Sequence, residues 1–253
     1  MLKEIAASLL FFTRFPFYKL KCFNIPSQYF KQVINYWPLA GWLTGGVMAL
    51  TLGLTSMILP YSVAIILAIA SRVLITGALH EDGLSDFMDG LGGGSTRTRV
   101  LEIMKDSHIG TYGVLTHVIY FILLFSCLYS VDTDMAMAMI FISDPLAKLV
   151  ASHINKVLPY ARTQETSKAK VVYDKMNWKT ALLVYPLGLF PFMFIIPYQS
   201  WWIILFPIAI FVLIVALLKK RIQGYTGDSC GAMFLLCELS VYLGILITIN
   251  NQL

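Results

Sequence analysis

The sequence has few charged residues. Asp, Glu, Lys and Arg make up 13% of its 253 residues, whereas soluble globular domains average about 25%. Hydrophobic residues make up 58%, and the mean hydropathy is +0.73. Several windows longer than about 18 residues are almost free of charge, which is the length that a helix needs to cross a bilayer. These features exclude an ordinary soluble domain and indicate an integral membrane protein.

Cysteine is also scarce. The four cysteines form no CxxC pair, which argues against a zinc or dithiol site, so we expect them to be small buried hydrophobes. The N-terminus shows no signal peptide pattern, because Glu4 follows Lys3 directly and no small-residue cleavage site is evident.

Basic residues are absent from every second connection between the apolar runs. Seven runs are long enough to span a membrane: 37–59, 61–79, 112–131, 135–154, 180–197, 201–218 and 231–250. All but two of the 19 lysines and arginines lie before the first run, at 80–111, at 155–179 or just after the sixth run. This alternation follows the positive-inside rule and predicts a cytoplasmic N-terminus and an external C-terminus. The net charge of +5 is therefore explained by topology, and no nucleic-acid partner is expected.

The predicted fold class is all-α, a polytopic membrane helical bundle of about seven transmembrane helices. The segment Leu2–Phe15 is apolar but short and charged, so we expect an additional N-terminal interfacial helix. Short links predict antiparallel neighbours and one integral membrane domain over residues 1–253. Four charges fall inside apolar runs, where charge is costly and usually paired or functional. These are Arg72, Asp144, Lys148 and Glu238, of which Asp144 and Lys148 are spaced i, i+4 and are expected to satisfy each other.

A carboxylate-rich stretch runs from His80 to Gly90. At about 100° per residue, Asp82, Asp86 and Asp89 fall within about 60° of one another on one helical face. Three stacked carboxylates repel one another unless a cation neutralises them, and Mg²⁺ prefers carboxylate oxygens and bridges to phosphates. The motif is expected at the end of a helix emerging from the membrane, with Gly83 and Gly90 leaving room for the phosphates of a ligand. The alternative is a solvated acidic face.

The segment after this motif contains candidate phosphate contacts. A glycine run at 92–94 precedes Arg97 and Arg99, and together they could cradle phosphates, although glycine runs also form plain linkers. A second helix is expected to begin at Glu102, with Glu102 and Asp106 facing the acidic stripe and Lys105 facing a substrate. In the last polar loop, Asp228 can reach the same site or simply form a turn, and Ser229 could cap the following span.

These motifs resemble the cobalamin synthase family, the adenosylcobinamide-GDP ribazoletransferases. The family pattern H-x-DGLxDxxDG, followed by L-E-I-M-(K/R)-D-S-x-x-G-T-x-G, is matched at His80–Gly90 and at Leu101–Gly113. The resemblance extends, in order, to 11–16, 37–39, 159–162, 226–228 and 231–232. The sequence departs from the pattern at His108, where the family usually has Arg, and at Leu235, where an acidic residue is common.

The resemblance implies transfer of the phosphocobinamide group of adenosylcobinamide-GDP to α-ribazole or its 5′-phosphate, with release of GMP. Implied partners are these substrates and the lipid bilayer of the cell membrane, with a homo-oligomer as a possible assembly. The active site would face the cytoplasm, near 80–113 and 224–231. Expected catalytic and Mg²⁺-binding residues are Asp82, Asp86, Asp89 and Asp106. Expected substrate-binding residues are His80, Arg97, Arg99, Lys105, Ser107 and Asp228.

Two other functions were weighed against this one. A CDP-alcohol phosphotransferase, another Mg²⁺-dependent membrane enzyme, also has an Asp-Gly-rich motif but expects Ala-Arg where Asp86-Phe87 stands. A transporter would place its polar groups at mid-membrane in broken helices. Here the acidic cluster is expected at a helix end, which favours an enzyme.

Overall fold

The computed structural model describes residues 1–19, 24–162 and 172–251. Within these ranges the chain is helical, with 3-10 segments, and its only β-type pairing is an isolated bridge between Tyr160 and Tyr225. The α-helices are α1 (Leu2–Phe12), α2 (Trp37–Ser56), α3 (Tyr61–Thr76), α4 (Leu79–Gly93), α5 (Arg97–Ile103), α6 (Thr111–Tyr129), α7 (Thr133–Ala151), α8 (Ile154–Val157), α9 (Trp178–Ile195), α10 (Leu205–Arg221) and α11 (Gly227–Asn250).

The seven apolar runs correspond one to one with α2, α3, α6, α7, α9, α10 and α11. Six helical segments are long and apolar enough to span a membrane, and the count reaches 7 if α3 and α4 are taken as one bent span. The predicted polytopic helical bundle is therefore confirmed. Helices α2, α7 and α11 form its centre, since α7 packs against both of the others.

Helix α1 is shorter than predicted and ends at Phe12 instead of Phe15. Its C-cap residue Thr13 is already extended, and Pro16 follows. The helix packs against the 3-10 segment Ser27–Tyr36, where the Ser8 hydroxyl donates to the carbonyl of Val33 at 3.1 Å. Its position at the membrane interface stays a prediction.

The acidic motif, expected at the end of a helix emerging from the membrane, lies on a separate helix, α4, that follows a sharp bend. The chain bends by 88° between α3 and α4. Gly77 (φ +65°) and Ala78 (φ +56°) both adopt the left-handed conformation at the break, which glycine tolerates and which costs other residues about 1–2 kcal/mol. The backbone N–H of Arg14 donates to Ile75 O at 2.6 Å, and the Arg14 side chain fills the space beside Gly77. A segment that precedes the bundle thus holds the bend.

Helix α4 packs closely against the start of α11. A Cβ on Gly83 would come within 2.9 Å of the carbonyl oxygen of Asp228, and one on Gly231 within 3.0 Å of the carbonyl oxygen of His80. The expectation that Gly83 and Gly90 leave room for ligand phosphates is therefore wrong. Backbone of α11 occupies the space at Gly83, and the Met104 side chain occupies the space at Gly90.

The predicted second helix begins earlier than expected. Helix α5 starts at Arg97, where the hydroxyl of Thr96 caps it by accepting from the Arg99 N–H at 3.3 Å, and it ends at Ile103. Asp106 then accepts from the N–H of His108 at 3.0 Å, a local bond that competes with helix continuation. Glu102 and Asp106 therefore do not share a helical face.

The four charged side chains inside the apolar runs are all buried, each at most 1% exposed. The carboxylate of Asp144 accepts from Lys148 Nζ at 2.5 Å and from the Thr44 hydroxyl at 2.9 Å, which confirms the predicted pair. Arg72 on α3 pairs with Glu238 on α11, and each side chain is at most 1% exposed. Each pair is electrically neutral, so these four residues add no net charge to the interior of the bundle.

Candidate active site

A cavity of about 110 Å³ lies where the most distant motifs of the sequence meet. Its wall combines residues from the end of α1, the start of α2, the first turn of α4, the loop after α8 and the start of α11. The lining residues are Phe11, Phe12, Ile34, Trp37, Leu79, His80, Asp82, Tyr160, Arg162, Tyr173, Gly227, Asp228, Cys230 and Gly231. Segments separated by more than a hundred residues thus form one site.

His80 is the most enclosed polar side chain of the cavity wall, with only 2% of its surface exposed. Its ring stacks on Trp37, at 5.5 Å between centroids and 16° between planes, and Phe12 stacks on both rings, at 4.9 Å from Trp37 and 6.1 Å from His80. The edge of Phe234 meets His80 at 4.8 Å. Within the described part of the chain, His80 Nε2 has no hydrogen-bond partner.

Asp82 and Asp228 supply carboxylates to the same cavity. Asp82 is exposed in the first turn of α4, and Asp228 lies in the first turn of α11. The positive end of a helix dipole stabilises a carboxylate at such a position. Ser229 was expected to cap α11, but Thr226 is the N-cap and Ser229 is its reciprocal partner in a capping box.

Asp89 binds the N-terminus of α6. Its two carboxylate oxygens accept from the backbone N–H groups of Gly110 at 2.7 Å and Gly113 at 2.8 Å. The absence of side chains at these glycines allows the approach, because a Cβ at either position would collide with the carboxylate. Asp89 therefore caps a helix that lies 21 residues further along the chain.

We predict that Asp89→Asn lowers the stability of the protein by about 1.5–3 kcal/mol, the usual worth of a hydrogen bond to a charged group. An amide has one acceptor oxygen and would turn its NH₂ group toward a backbone donor. The midpoint of thermal unfolding in detergent should fall. Asp132→Asn is the matched control, because Asp132 caps α7 from an exposed position and asparagine is an equally good N-cap. Equal midpoints for the two variants would contradict the capping role.

The remaining predicted carboxylates lie apart from the cavity. Asp106 and Asp89 line a shallow depression of about 330 Å³. The Asp106 carboxylate is 2.7 Å from His108 Nδ1, and this hydrogen bond lowers the pKa of Asp106. Asp86 is buried on α4. Over residues 1–19, 24–162 and 172–251, no three His, Cys, Asp or Glu side chains are close enough to hold a metal ion together.

The predicted phosphate contacts lie around α5. Arg97 donates to the carbonyls of Ile222 and Ala161, each at 2.9 Å, and so ties α5 to two loops. Arg99 pairs with Glu102 at 3.2 Å on the surface, and Lys105 and Ser107 are exposed. The glycine run ends α4, and the N–H of Gly94 bonds to the carbonyl of Gly90 at 3.0 Å. It therefore forms no cradle of free N–H groups, contrary to the expectation.

Eleven of the 14 residues that line the cavity were not among the predicted site residues, and four of these are Trp37, Tyr160, Arg162 and Tyr173. The stretches that carried the family resemblance included Trp37, Tyr160 and Arg162, so a signal for them was present. Tyr173 had no such signal. Arg162 donates to the carbonyl of Leu101 at 2.9 Å, which links the cavity to α5. Burial raises the pKa of Tyr173 well above its ordinary value, so its hydroxyl stays protonated.

Comparison with known proteins identifies the family. Residues 4–246 match the model of the family described as cobalamin-5-phosphate synthase. A protein named adenosylcobinamide-GDP ribazoletransferase from Shewanella putrefaciens is 33% identical over 251 residues, which cover 97% of this chain and 95% of that protein. Proteins with the same name from Leptothrix cholodnii and Vibrio parahaemolyticus are 35% and 37% identical, covering 94% and 87% of this chain and 92% and 83% of their own.

No solved structure matches the chain. The family match is nevertheless continuous from α1 to α11, and the residues that surround the cavity all lie inside it. The chain belongs to the cobalamin-5-phosphate synthase family.

Proposed function

We propose that this chain is an integral membrane transferase that joins adenosylcobinamide-GDP to α-ribazole or α-ribazole 5′-phosphate and releases GMP. The names of its relatives state this activity. The observation that carries the proposal is the convergence of five distant motifs around one cavity that has carboxylates, a histidine and an arginine in its wall.

The reaction exchanges one phosphorus–oxygen bond for another. A ribose hydroxyl of the acceptor attacks the phosphorus that carries the cobinamide, and the bond between this phosphorus and the bridging oxygen of GMP breaks. The hydroxyl proton passes to a carboxylate, and GMP leaves with the bridging oxygen. Asp82 is the proposed base, because it is the exposed carboxylate of the cavity, and a base must reach the proton that it removes.

Magnesium remains part of the proposal. Mg²⁺ usually binds one or two carboxylates and substrate phosphates and keeps several waters. Asp82 and Asp228, which line the same cavity, fit this pattern. Asp89 fits it less well, since both of its oxygens already accept backbone N–H groups. Bound there, the ion would neutralise charge on the diphosphate. Arg162 lies in the same wall and can bind a phosphate oxygen, while the aromatic residues exclude water.

The proposal is tested with purified membranes, adenosylcobinamide-GDP, α-ribazole and Mg²⁺. We expect a corrinoid product that contains the ribazole and an equal amount of GMP. EDTA should abolish product formation, and added Mg²⁺ should restore it. The absence of GMP with active substrates would contradict the transferase, whereas full activity in EDTA would contradict only the role of the metal.

The orientation in the membrane is also a proposal. The basic connections predict that α4, α5 and the cavity face the cytoplasm. A reporter fused after Leu253 should therefore appear outside the cell, and one inserted near Ser95 should appear inside. Both reporters on the same side would contradict this topology.

A further inference from the structure

We propose that the aromatic end of the cavity is the binding site for the benzimidazole base of α-ribazole, and that His80 donates a hydrogen bond to the free ring nitrogen of this base. The inference rests on the proposed function and assigns one of its two substrates to a place in the structure.

The shape and composition of the cavity favour a flat aromatic ligand. Phe11, Phe12, Trp37, Tyr160 and Tyr173 contribute to its wall, and aromatic side chains bind ring systems by offset-stacked or edge-to-face contacts. A space of about 110 Å³ is far smaller than a corrin macrocycle. The macrocycle of the other substrate must therefore stay outside, and only a base or a phosphate can enter.

The unpartnered polar atoms of the cavity wall distinguish the two bases that take part in the reaction, and in the described part of the chain they include Trp37 Nε1 as well as His80 Nε2. His80 Nε2 is buried without a hydrogen-bond partner in the described part of the chain, and a buried polar group without a partner is unfavourable. A substituted benzimidazole has one free ring nitrogen, which accepts one hydrogen bond. Guanine presents O6, N7 and an amino group on its edges, and the ring N–H groups of His80 and Trp37 can only donate, so among these aromatic residues its amino group would stay unpaired.

The charged residues of the cavity wall would bind the rest of the acceptor. Asp82 is two residues after His80 in the first turn of α4, and Asp228 and Arg162 line the same cavity. A base held against His80 would place its ribose toward the carboxylates, where the hydroxyl proton is removed. The aromatic residues thereby orient the nucleophile, and the charged residues receive the diphosphate.

Binding measured by calorimetry on the detergent-solubilised protein tests this assignment without requiring turnover. The probes are α-ribazole, its indole analogue, in which C–H replaces the free ring nitrogen, and GDP. The nitrogen takes no part in bond making, so its removal reports binding alone. We expect the wild-type protein to bind α-ribazole at least tenfold more tightly than the indole analogue. Equal affinities would overturn the assignment, and this comparison needs no substitution.

Variants then locate the interaction. His80→Leu should bind the two acceptors equally, and Phe11→Leu should weaken both, while the affinity for GDP stays within twofold. Phe190→Leu is the matched control, because Phe190 is exposed on α9 and contacts Trp42 and Phe194. Weaker binding of GDP with unchanged binding of α-ribazole would overturn the assignment. Selective, His80-dependent binding without product formation would support it and contradict the proposed function.

Discussion

Replacing Asp82 by asparagine is expected to lower kcat by about 10²–10⁴-fold, the usual contribution of a general acid or base. The side chain keeps its size but no longer takes a proton, and it binds a cation less well. Because Asp82 is exposed, its loss should leave the midpoint of thermal unfolding within experimental error. The measurement is GMP release by the purified variant, with unfolding followed in the same detergent.

Asp134→Asn is the matched control for this experiment. Asp134 is also an exposed carboxylate in the first turn of a helix, α7. It is not among the residues that line the cavity. Its variant should have wild-type kcat. An Asp82→Asn enzyme that retains full activity would remove Asp82 from the mechanism. A fall in kcat together with a large fall in the unfolding midpoint would instead indicate a structural role.

The largest effect on stability is expected for Arg72→Met. Removal of one member of a buried ion pair leaves the other charge uncompensated, at a cost of about 3–5 kcal/mol. Here Glu238 would remain in the core, 0% exposed, with the hydroxyl of Tyr242 at 3.3 Å as its closest remaining donor. The variant should aggregate or unfold at a markedly lower temperature, measured by size-exclusion chromatography after heating.

A second variant separates charge from packing. Arg72→Met combined with Glu238→Leu removes both charges and should recover most of the lost stability, because apolar replacements of a buried pair are often neutral. Arg99→Ala is the surface control, since Arg99 and Glu102 are 61% and 58% exposed and such pairs contribute about 0–1 kcal/mol. A double variant as unstable as the single one would show that packing, and not charge, explains the loss.

The spans of the fold were predictable because hydropathy and charge act locally. Each apolar run became a helix, and the i, i+4 spacing of Asp144 and Lys148 correctly predicted their pair. The bend before α4 was not predictable in the same way. It depends on a left-handed Ala78, a conformation that alanine rarely adopts, and on a contact with Arg14 from a distant segment.

Of the ten predicted site residues, the structure places three, His80, Asp82 and Asp228, in the wall of the cavity. The periodicity of Asp82, Asp86 and Asp89 placed them on one face, yet it gave no indication that Asp89 caps α6. The two hydrogen bonds of this cap require glycines at 110 and 113. In the sequence these glycines are visible only as members of the family motif, which does not reveal that Asp89 approaches them. The stacking contact between Trp37 and His80 joins residues that are 43 positions apart in the sequence. Such contacts come from tertiary packing, which a local pattern does not contain.

The Arg72–Glu238 pair also constrains the order in which the protein is made. The two residues are 166 positions apart, and α11 is the last described helix to leave the ribosome. At about 5–20 residues per second, Arg72 waits roughly ten to thirty seconds in the membrane for its partner. An arginine inside an apolar helix opposes insertion, by up to about 2.5–3.5 kcal/mol at the helix centre, and Arg72 is four residues from the end of α3. During biogenesis α3 must therefore be held by the insertion machinery or by neighbouring helices, and a nascent chain that stops before α11 would be a substrate for membrane proteases.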